Sequence, residues 1–313
     1  MIPGFHRRPR EYDLEMLTPM SAAVGIMAFN EEATIASSVR SVLGQSGPHV
    51  NLRQVTVVAS GCTDDTVPRA RVAAAGDPRF VVLEQDVREG KAAAITALLG
   101  SLRKEDKVVL VGGDTVLPPG SLEALLAPFD DPEVGMVGGH PVPVNGTSTR
   151  MGRIVHFLWE MHHRIALQDP KLGELVAFRR VLSALPSSSA VDEAEIEALV
   201  RDHGLRLVYA PAAVVRMRGP GTVRDFLTQR RRIHAGHLQL RGRRGYSVST
   251  MSPVRIIPTL WRTWRHGGAG TGTVVAAVGL ETLARCLGWW DARVMNRDHS
   301  TWKPIPSTKN MGS

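Results

Sequence analysis

The sequence predicts an α/β fold: a mostly parallel sheet flanked by helices, with a helical extension towards the C-terminal end. Three observations predict it. Short apolar runs rich in β-branched residues alternate with segments of helical periodicity. The connections between them are short, which implies right-handed crossovers in a parallel sheet. Polar residues gather just after the apolar runs, at the carboxyl ends of the strands, where open sheets of this kind bind ligands.

The elements follow in order. Residues 1–20 are polar and proline-containing and read as an irregular arm. Ala22–Ala28 is a buried strand closed by Phe29 and Asn30, with Asn30 as N-cap and Glu31 and Glu32 in a first helical turn. Ile35, Val39, Val42 and Leu43 then recur at helical spacing. Val55–Ala59 is a second strand, and the loop from Ser60 turns into a helix ending near Ala75. Phe80–Leu83 is a third strand, Gly90 and Lys91 open a third helix, and Val108–Val111 is a fourth strand. That strand ends in Gly112-Gly113-Asp114, followed by a prolyl turn and a new helix start.

Further on, a helix is predicted through Val155–Ala166 and a short strand over Gly173–Arg179. An acidic helix from Asp192 to His203 is closed by Gly204 at the C′ position. Leu205–Tyr209 is a strand, and Thr222 to about Leu240 is a very basic helix. A weakly apolar helix spans Thr273 to Arg285, and nothing periodic follows Asp291.

Composition sets outer limits. The chain has 313 residues, 43% of them hydrophobic and 22% charged, enough for one large domain or two small ones. Cys62 and Cys286 lie far apart and form neither a disulfide framework nor a metal motif. The first ten residues lack an apolar core, so no signal peptide is expected. No uninterrupted apolar run of about 18 residues predicts a membrane span. Nine arginines against the single acid Asp225, between Arg216 and Arg244, account for the whole net charge of +8. Such a patch suits anionic lipid better than nucleic acid, because it lacks interleaved aromatics and any recognised binding motif.

Chemistry enters at the sheet edge. A nucleotide diphosphate needs a hard divalent cation, oxygen ligands and nearby positive charge. Asp114 can ligate Mg²⁺ or Mn²⁺, since such an ion takes one or two carboxylates beside phosphate oxygens and water. Gly112 and Gly113 let the backbone come close to a ligand. Lys91 at a helix start is a phosphate partner. By itself the window around Asp114 also reads as a simple turn; Asn30, the Ser60 loop and Lys91 at the same edge favour a site.

The order of these segments resembles glycosyltransferase family 2, whose catalytic domain has the GT-A fold. The resemblance runs from about Val24 to Gly236. Phe29–Glu32 is similar to the family's aromatic-Asn-Glu segment, and Ala59–Thr66 to its second-strand loop, usually Asp-Gly-Ser-Thr-Asp-x-Thr. Gly90-Lys91 resembles its Gly-Lys segment, and Gly112–Asp114 stands at its Asp-x-Asp metal motif. Gly173–Arg180 resembles its acceptor-side segment, Asp192–Ile196 its Glu-Asp-x-x-Leu, and Gln229–Ile233 its Gln-x-x-Arg-Trp. Three positions depart from the pattern: Gly112 for the first aspartate of the metal motif, Ser60 for the aspartate that grips base or ribose, and Ile233 for the tryptophan.

The resemblance implies a catalytic domain over 21–245, with a nucleotide-binding half (21–145) and an acceptor half (146–245), and an extension and tail over 246–313. It implies inverting, metal-dependent sugar transfer from a nucleotide-diphospho-sugar to a hydroxyl of a carbohydrate or lipid-linked acceptor. Phe29, Asn30, Glu32, Ser60, Lys91, Gly113 and Asp114 become donor-side residues, with Mg²⁺ or Mn²⁺ on Asp114. Glu193 falls on the family's base, with Asp192 as the neighbouring alternative. Gln229 and Arg232 meet the diphosphate or acceptor. The segment from Trp302 to Lys309 resembles a tail of membrane-associated members, which would bring Lys309 to phosphate.

Other readings stand beside these. Asp192 and Glu193 also suit a helix N-terminus on electrostatic grounds alone. Phe29 reads equally as a base-stacking or a core aromatic. His156, Glu160 and His163 share a helical face, which packing explains more often than metal binding. Trp289 and Trp290 suit either a head-group boundary, with the chain on the cytoplasmic side of a membrane, or packing on the domain. A nucleotidyltransferase would need a glycine-rich phosphate loop after the first strand, and Phe29–Glu32 is not one. A degenerate, non-catalytic binder of nucleotide or partner draws support from Gly112 and Ser60.

Overall fold

The computed structural model describes residues 19–103, 107–186, 189–265, 269–295 and 306–308. The first strand, β1 (Met20–Ala28), is buried on both faces: Ala22, Val24 and Ile26 join one core and Ala23 the other. That is why its sequence is apolar throughout rather than alternating. β2 (Val50–Ser60), β3 (Phe80–Gln85) and β4 (Lys107–Gly112) run parallel with it in the order β3-β2-β1-β4. Helices α1 (Ile35–Leu43), α2 (Thr66–Ala74) and α4 (Ser121–Leu126) help cover one face. α3 (Lys91–Ser101) covers the other, with Leu98 seated so closely on Gly25 that a Cβ there would lie 2.2 Å from Leu98 Cδ2.

The sheet then continues as β6 (Leu175–Arg179), β5 (Val134–Pro143) and β7 (Arg206–Met217), giving seven strands among the described residues. β6 is antiparallel to both β4 and β5, whereas β5 and β7 pair in parallel. The sheet is therefore mixed, with most pairings parallel, as expected from the sequence.

Several expectations need correction. Asn30 does not cap a helix. Its backbone is left-handed (φ 52°), a conformation asparagine tolerates, and α1 begins five residues later at Ile35. Strand β5 was not anticipated. Its glycines hide the pattern, yet each meets a neighbour that leaves no room for a side chain: a Cβ on Gly138 would lie 2.5 Å from Leu172, and one on Gly139 2.4 Å from the Ala213 carbonyl. β7 runs on past Tyr209, through Pro211, to Met217.

Helices α5 (Arg150–Ala166), α6 (Asp192–Asp202) and α7 (Val223–Arg244) lie where the periodicity puts them. Thr149 and Thr222 cap α5 and α7 by accepting the backbone N–H of Gly152 and Asp225. α8 (Pro253–Arg265) was not anticipated either, because three arginines and Pro258 break its apolar pattern. α9 (Thr271–Arg293) packs along α7 and α5.

The junction of α7 with α9 changes the meaning of the basic segment. Arg230 forms a two-pronged pair with Glu281, whose carboxylate also accepts from Arg285 four residues on. Arg231 pairs with Asp291, which is fully buried. Arg243 and Arg244 pair with the buried Glu195. Four of the nine arginines are therefore engaged in ion pairs within the fold, so the run is not one continuous unpaired surface patch.

Gly288 sets how closely α7 and α9 approach, because a Cβ there would lie 2.5 Å from the Arg231 carbonyl oxygen. Gly288→Ala is expected to cost about 1–3 kcal/mol despite its better helix propensity. A thermal melt showing an unchanged or raised midpoint would remove that constraint.

Candidate active site

The order β3-β2-β1-β4 reverses direction between β1 and β4, and the crevice beyond their carboxyl ends is where an open sheet binds ligands. One wall is the Asn30 turn locked to the Ser60 loop. The Asn30 side chain donates to Thr63 Oγ1 (3.1 Å) and accepts from the Thr63 N–H (2.8 Å). Glu31 N–H donates to Thr66 Oγ1 at 2.7 Å. Glu32 exchanges bonds with the same loop: its N–H donates to Asp64 and its carboxylate accepts from the Asp65 N–H. Asn30 and Glu32 thus shape the wall, while the Phe29 ring lies 3.8 Å beneath the Arg88 guanidinium.

Ser60 ends β2 in register with Gln85 of β3. Ser60 Oγ and Gln85 Oε1 are both buried without a hydrogen-bond partner. Two orphaned polar atoms side by side at a ligand-binding edge are a structural reason to expect a polar ligand there. Gly61 follows at φ 65°, and a Cβ on it would lie 2.7 Å from the Arg88 backbone nitrogen. The two loops therefore approach too closely there for any side chain at 61.

The floor is Gly112–Asp114. Gly113 N–H donates to the Met27 carbonyl at 2.9 Å, carrying the β1–β4 ladder one residue further. A Cβ on Gly112 would lie 2.6 Å from Asp114 Oδ1, so the Asp114 carboxylate occupies the space a side chain at 112 would take. The Asp114 carboxylate, beside two glycines at the strand end, fits a hard divalent cation that takes its other ligands from phosphate and water. Among the described residues no cluster of three or more acids, histidines or cysteines exists that would hold an ion unaided.

The far wall comes from three elements. Lys91 opens α3 and pairs with Glu193 in the first turn of α6. Burial alone would raise the Glu193 carboxyl, but Lys91 overrides it and holds the pKa down to about 2. Asp192, 5% exposed, behaves oppositely: burial and the Glu193 charge push it up to about 6, against the pull of Lys91 and Arg232. Its Oδ1 has no hydrogen-bond partner. Arg232 of α7 lies within electrostatic reach of Asp192, Glu193 and Glu174, with its own pKa lowered by burial to about 10. Gln229, three residues before it on α7, is half-buried.

Glu174, Gln85 and Arg88 had no predicted role. Glu174 precedes β6 at φ 60°, uncommon for a residue with a side chain, and burial together with Asp114 pushes its carboxyl up to about 7. The Gly173-Glu174 step before a strand was the only signal in the sequence. Lys309 lies outside the described residues. Its neighbour Ser307 folds back onto the start of α7, accepting from the Gly221 N–H at 3.0 Å and donating to Asp225. His156, Glu160 and His163 are engaged separately, with the Asn145 carbonyl, Arg164 and the Tyr209 hydroxyl.

The model for Glycosyl transferase family 2 matches residues 23–185, and that for Glycosyl transferase family group 2 matches residues 107–302. The chain belongs to glycosyltransferase family 2.

The transferase superposes on a mannosyltransferase from Pyrobaculum calidifontis, solved with GDP-Man and Mn²⁺, with a TM-score of 0.66 at 18% identity, covering 90% of this chain and 89% of that one. It also superposes on glucosyl-3-phosphoglycerate synthase from Mycobacterium tuberculosis, solved with Mn²⁺, UDP-Glc and phosphoglyceric acid, with a TM-score of 0.50 at 24% identity over 72% of this chain and 80% of that one. At these identities the likeness is one of fold, and the fold is GT-A. A sequence relative, the succinoglycan biosynthesis protein ExoO of Rhizobium meliloti (strain 1021), is 36% identical over 93 residues. That stretch is 30% of this chain and spans only 25% of the relative's length.

The Lys91–Glu193 pair gives the far wall a testable signature. Lys91→Met leaves a half-buried carboxylate without its cation, an expected loss of about 1–3 kcal/mol at neutral pH after allowing for solvent screening. The folded pKa of Glu193 lies below its ordinary 4.5, so the pair's contribution is present above pH 4.5 and fades as pH falls towards about 2. Denaturation of both proteins across that range should show the gap closing in acid. A pH-independent gap would show that the pair is not its source.

Proposed function

We propose that the chain is an inverting, metal-dependent glycosyltransferase. It moves a sugar from a nucleotide-diphosphate donor to the hydroxyl of a polysaccharide or lipid-linked precursor at the cytoplasmic face of a membrane. One observation carries the catalytic part: Asp192 is buried, unpartnered on Oδ1 and raised to about 6, beside a glutamate already committed to Lys91.

A general base needs a free lone pair and a pKa near the working pH. Asp192 has both. Glu193, the residue that motif alignment favours, is held near 2 by Lys91 and is a weak proton acceptor. On this reading Asp192 takes the acceptor proton as the hydroxyl oxygen bonds to the sugar's anomeric carbon and the bond to the diphosphate breaks. Glu193 keeps Lys91 in place, and Lys91 and Arg232 face the negative charge that develops on the leaving group. Asp114 would hold Mg²⁺ or Mn²⁺, which when bound supplies Lewis-acid stabilisation to the diphosphate. Ser60, Gln85 and the Phe29–Arg88 stack would receive the nucleoside. The GDP-Man and UDP-Glc held by the two structural relatives support a nucleotide-sugar donor, and the succinoglycan protein supports a saccharide acceptor.

Donor chemistry is tested by thermal shift with UDP, GDP, dTDP and CDP, each with and without Mn²⁺. A nucleotide at a hundred times its dissociation constant adds about 2.7 kcal/mol. One of the four is expected to stabilise the protein only with metal, and Asp114→Asn should abolish the shift. Silence from all four, with and without metal, would favour a degenerate binder that does not hold these nucleotides.

With donor identified, Asp192→Asn is expected to lower kcat by about 100- to 10,000-fold while leaving nucleotide binding intact. The pH profile of kcat/KM should fall on the acid side of about 6, because the base is lost as Asp192 takes up a proton. If Glu193→Gln proves the more damaging substitution, the base is Glu193 and the assignment to Asp192 is wrong.

A further inference from the structure

Helices normally face their charges to water and their apolar residues to the core. α9 departs from this in part: Val274, Ala277 and Ala284 are buried as usual, but its two acids are turned inward as well. Glu281 and Asp291 point inward to Arg230 and Arg231, and Asp291 is 0% exposed. The exposed positions from Val275 to Trp290 carry no charge at all, and among them Val275, Val278, Leu283, Trp289 and Trp290 are large and apolar, the two tryptophans 50% and 51% exposed.

α8 has a similar outer face, although Ile256 and Leu260 pack inward. Its buried positions include Thr259 and Thr263, with Thr263 Oγ1 satisfied by the Thr259 carbonyl. Its exposed side carries Val254 (79%), Ile257 (63%), Trp261 (54%) and Trp264 (37%), spaced by three, four and three residues along one face. Arg255, Arg262 and Arg265 are exposed beside that stripe. Both helices rest on α5, and Trp264 Nε1 donates to Thr271 Oγ1 across their junction. An open groove of about 720 Å³, lined by Met151, Ile154, Val223, Gly279, Leu280 and Leu283, continues the apolar surface between α5, α9 and the start of α7.

We infer that the outer faces of α8 and α9 form a docking surface for an anionic lipid bilayer, lying in the interface rather than crossing it. No helix among the described residues is long and apolar enough to span. Tryptophan at a head-group boundary, aliphatic residues beneath it and arginine at the rim are the pattern of an interfacial helix. Charge decides against a second copy of the chain as occupant. Arg255 pairs with Asp169, but Arg262 and Arg265 have no acid on α8, and both acids of α9 are paired internally, so two such faces would meet with like charges at the rim. Anionic head groups complement them. The inference deepens the proposal of an acceptor at a membrane face, and it stands on observations outside the catalytic crevice.

The test is co-sedimentation of the full chain with vesicles of phosphatidylcholine alone and of phosphatidylcholine mixed with phosphatidylserine. Wild type should pellet with the mixed vesicles and be released by salt. Trp261→Glu with Trp264→Glu, or Trp289→Glu with Trp290→Glu, should weaken partitioning by about tenfold or more. For the Trp289/Trp290 variant the melting temperature and any nucleotide-dependent shift should stay unchanged, because both side chains are half exposed and neither belongs to the crevice. The Trp261/Trp264 variant also loses the Trp264–Thr271 hydrogen bond, so its partitioning is read only where its melt stays near wild type. A nucleotide response without vesicle binding would sink the docking surface and leave the transferase reading standing; the opposite result would do the converse. Equal binding to both vesicle types overturns the anionic assignment. Light scattering that shows a dimer dissolved by the tryptophan substitutions would assign the face to a second copy instead.

Discussion

Carboxylate crowding at the carboxyl edge of the sheet is the constraint on which the candidate site depends. Asp114, Glu174, Asp192 and Glu193 act on one another electrostatically in a crevice that also contains Lys91 and Arg232. Like charges withdrawn from water cannot all remain ionised at ordinary pKa values. The structure resolves the conflict unevenly. Lys91 is given to Glu193, which stays ionised far below its usual range, and the raised values fall on Asp192 and Glu174. One helix therefore presents two adjacent acids with opposite behaviour, the kind of separation that assigns different chemical roles to neighbouring carboxyls. On the proposed reading, a divalent cation held by Asp114 would add positive charge at the same place and would link donor binding to the ionisation of the crevice.

The fold makes that crowding sustainable by anchoring each group on a separate rigid element. Asp114 follows the central strand β4, Lys91 opens α3, Asp192 and Glu193 open α6, and Arg232 sits in the middle of the long helix α7. Helix N-termini favour the two acids of α6 through the backbone dipole. The same dipole opposes Lys91 at the start of α3, so its partner Glu193 is what holds the ammonium there. Removing one member redistributes charge over the rest, and the roles here are properties of the cluster rather than of single residues.

Much of the architecture was legible in the sequence, for identifiable reasons. β1, β2 and β4 are buried on both faces, so their apolar runs stand out against the polar loops between them. Lys91, Asp114, the Asp192-Glu193 pair and Arg232 could be chosen because they follow those runs or belong to a fixed order of segments. β5 escaped because close packing against Leu172, Leu205 and Ala213 demands glycine where a strand ordinarily shows a side chain. Asn30 misled because asparagine serves equally as a helix cap and in a left-handed turn. Glu174, Gln85 and Arg88 were invisible for a different reason: what distinguishes them is burial, an orphaned oxygen and a stacked ring, which only the assembled fold creates.

The basic helix α7 shows how far a count of charges can mislead and where it still informs. Read as a string, its arginines suggested one anionic contact surface. In the fold Arg230 and Arg231 hold α9 against α7 through Glu281 and Asp291, while Arg243 and Arg244 satisfy the buried Glu195. Those ion pairs take the acids of α9 inward, and a helix whose acids are turned inward has mostly uncharged residues left for its outer side. The fastening thus accounts for the lack of acids on the outer side of α9, and for no more than that. A merely structural helix could have been fastened the same way with serine or lysine outside, because nothing in the α7–α9 contact requires tryptophan at 289 and 290. Those choices, and the matching stripe on α8, are independent of the fastening and need a cause beyond the chain itself.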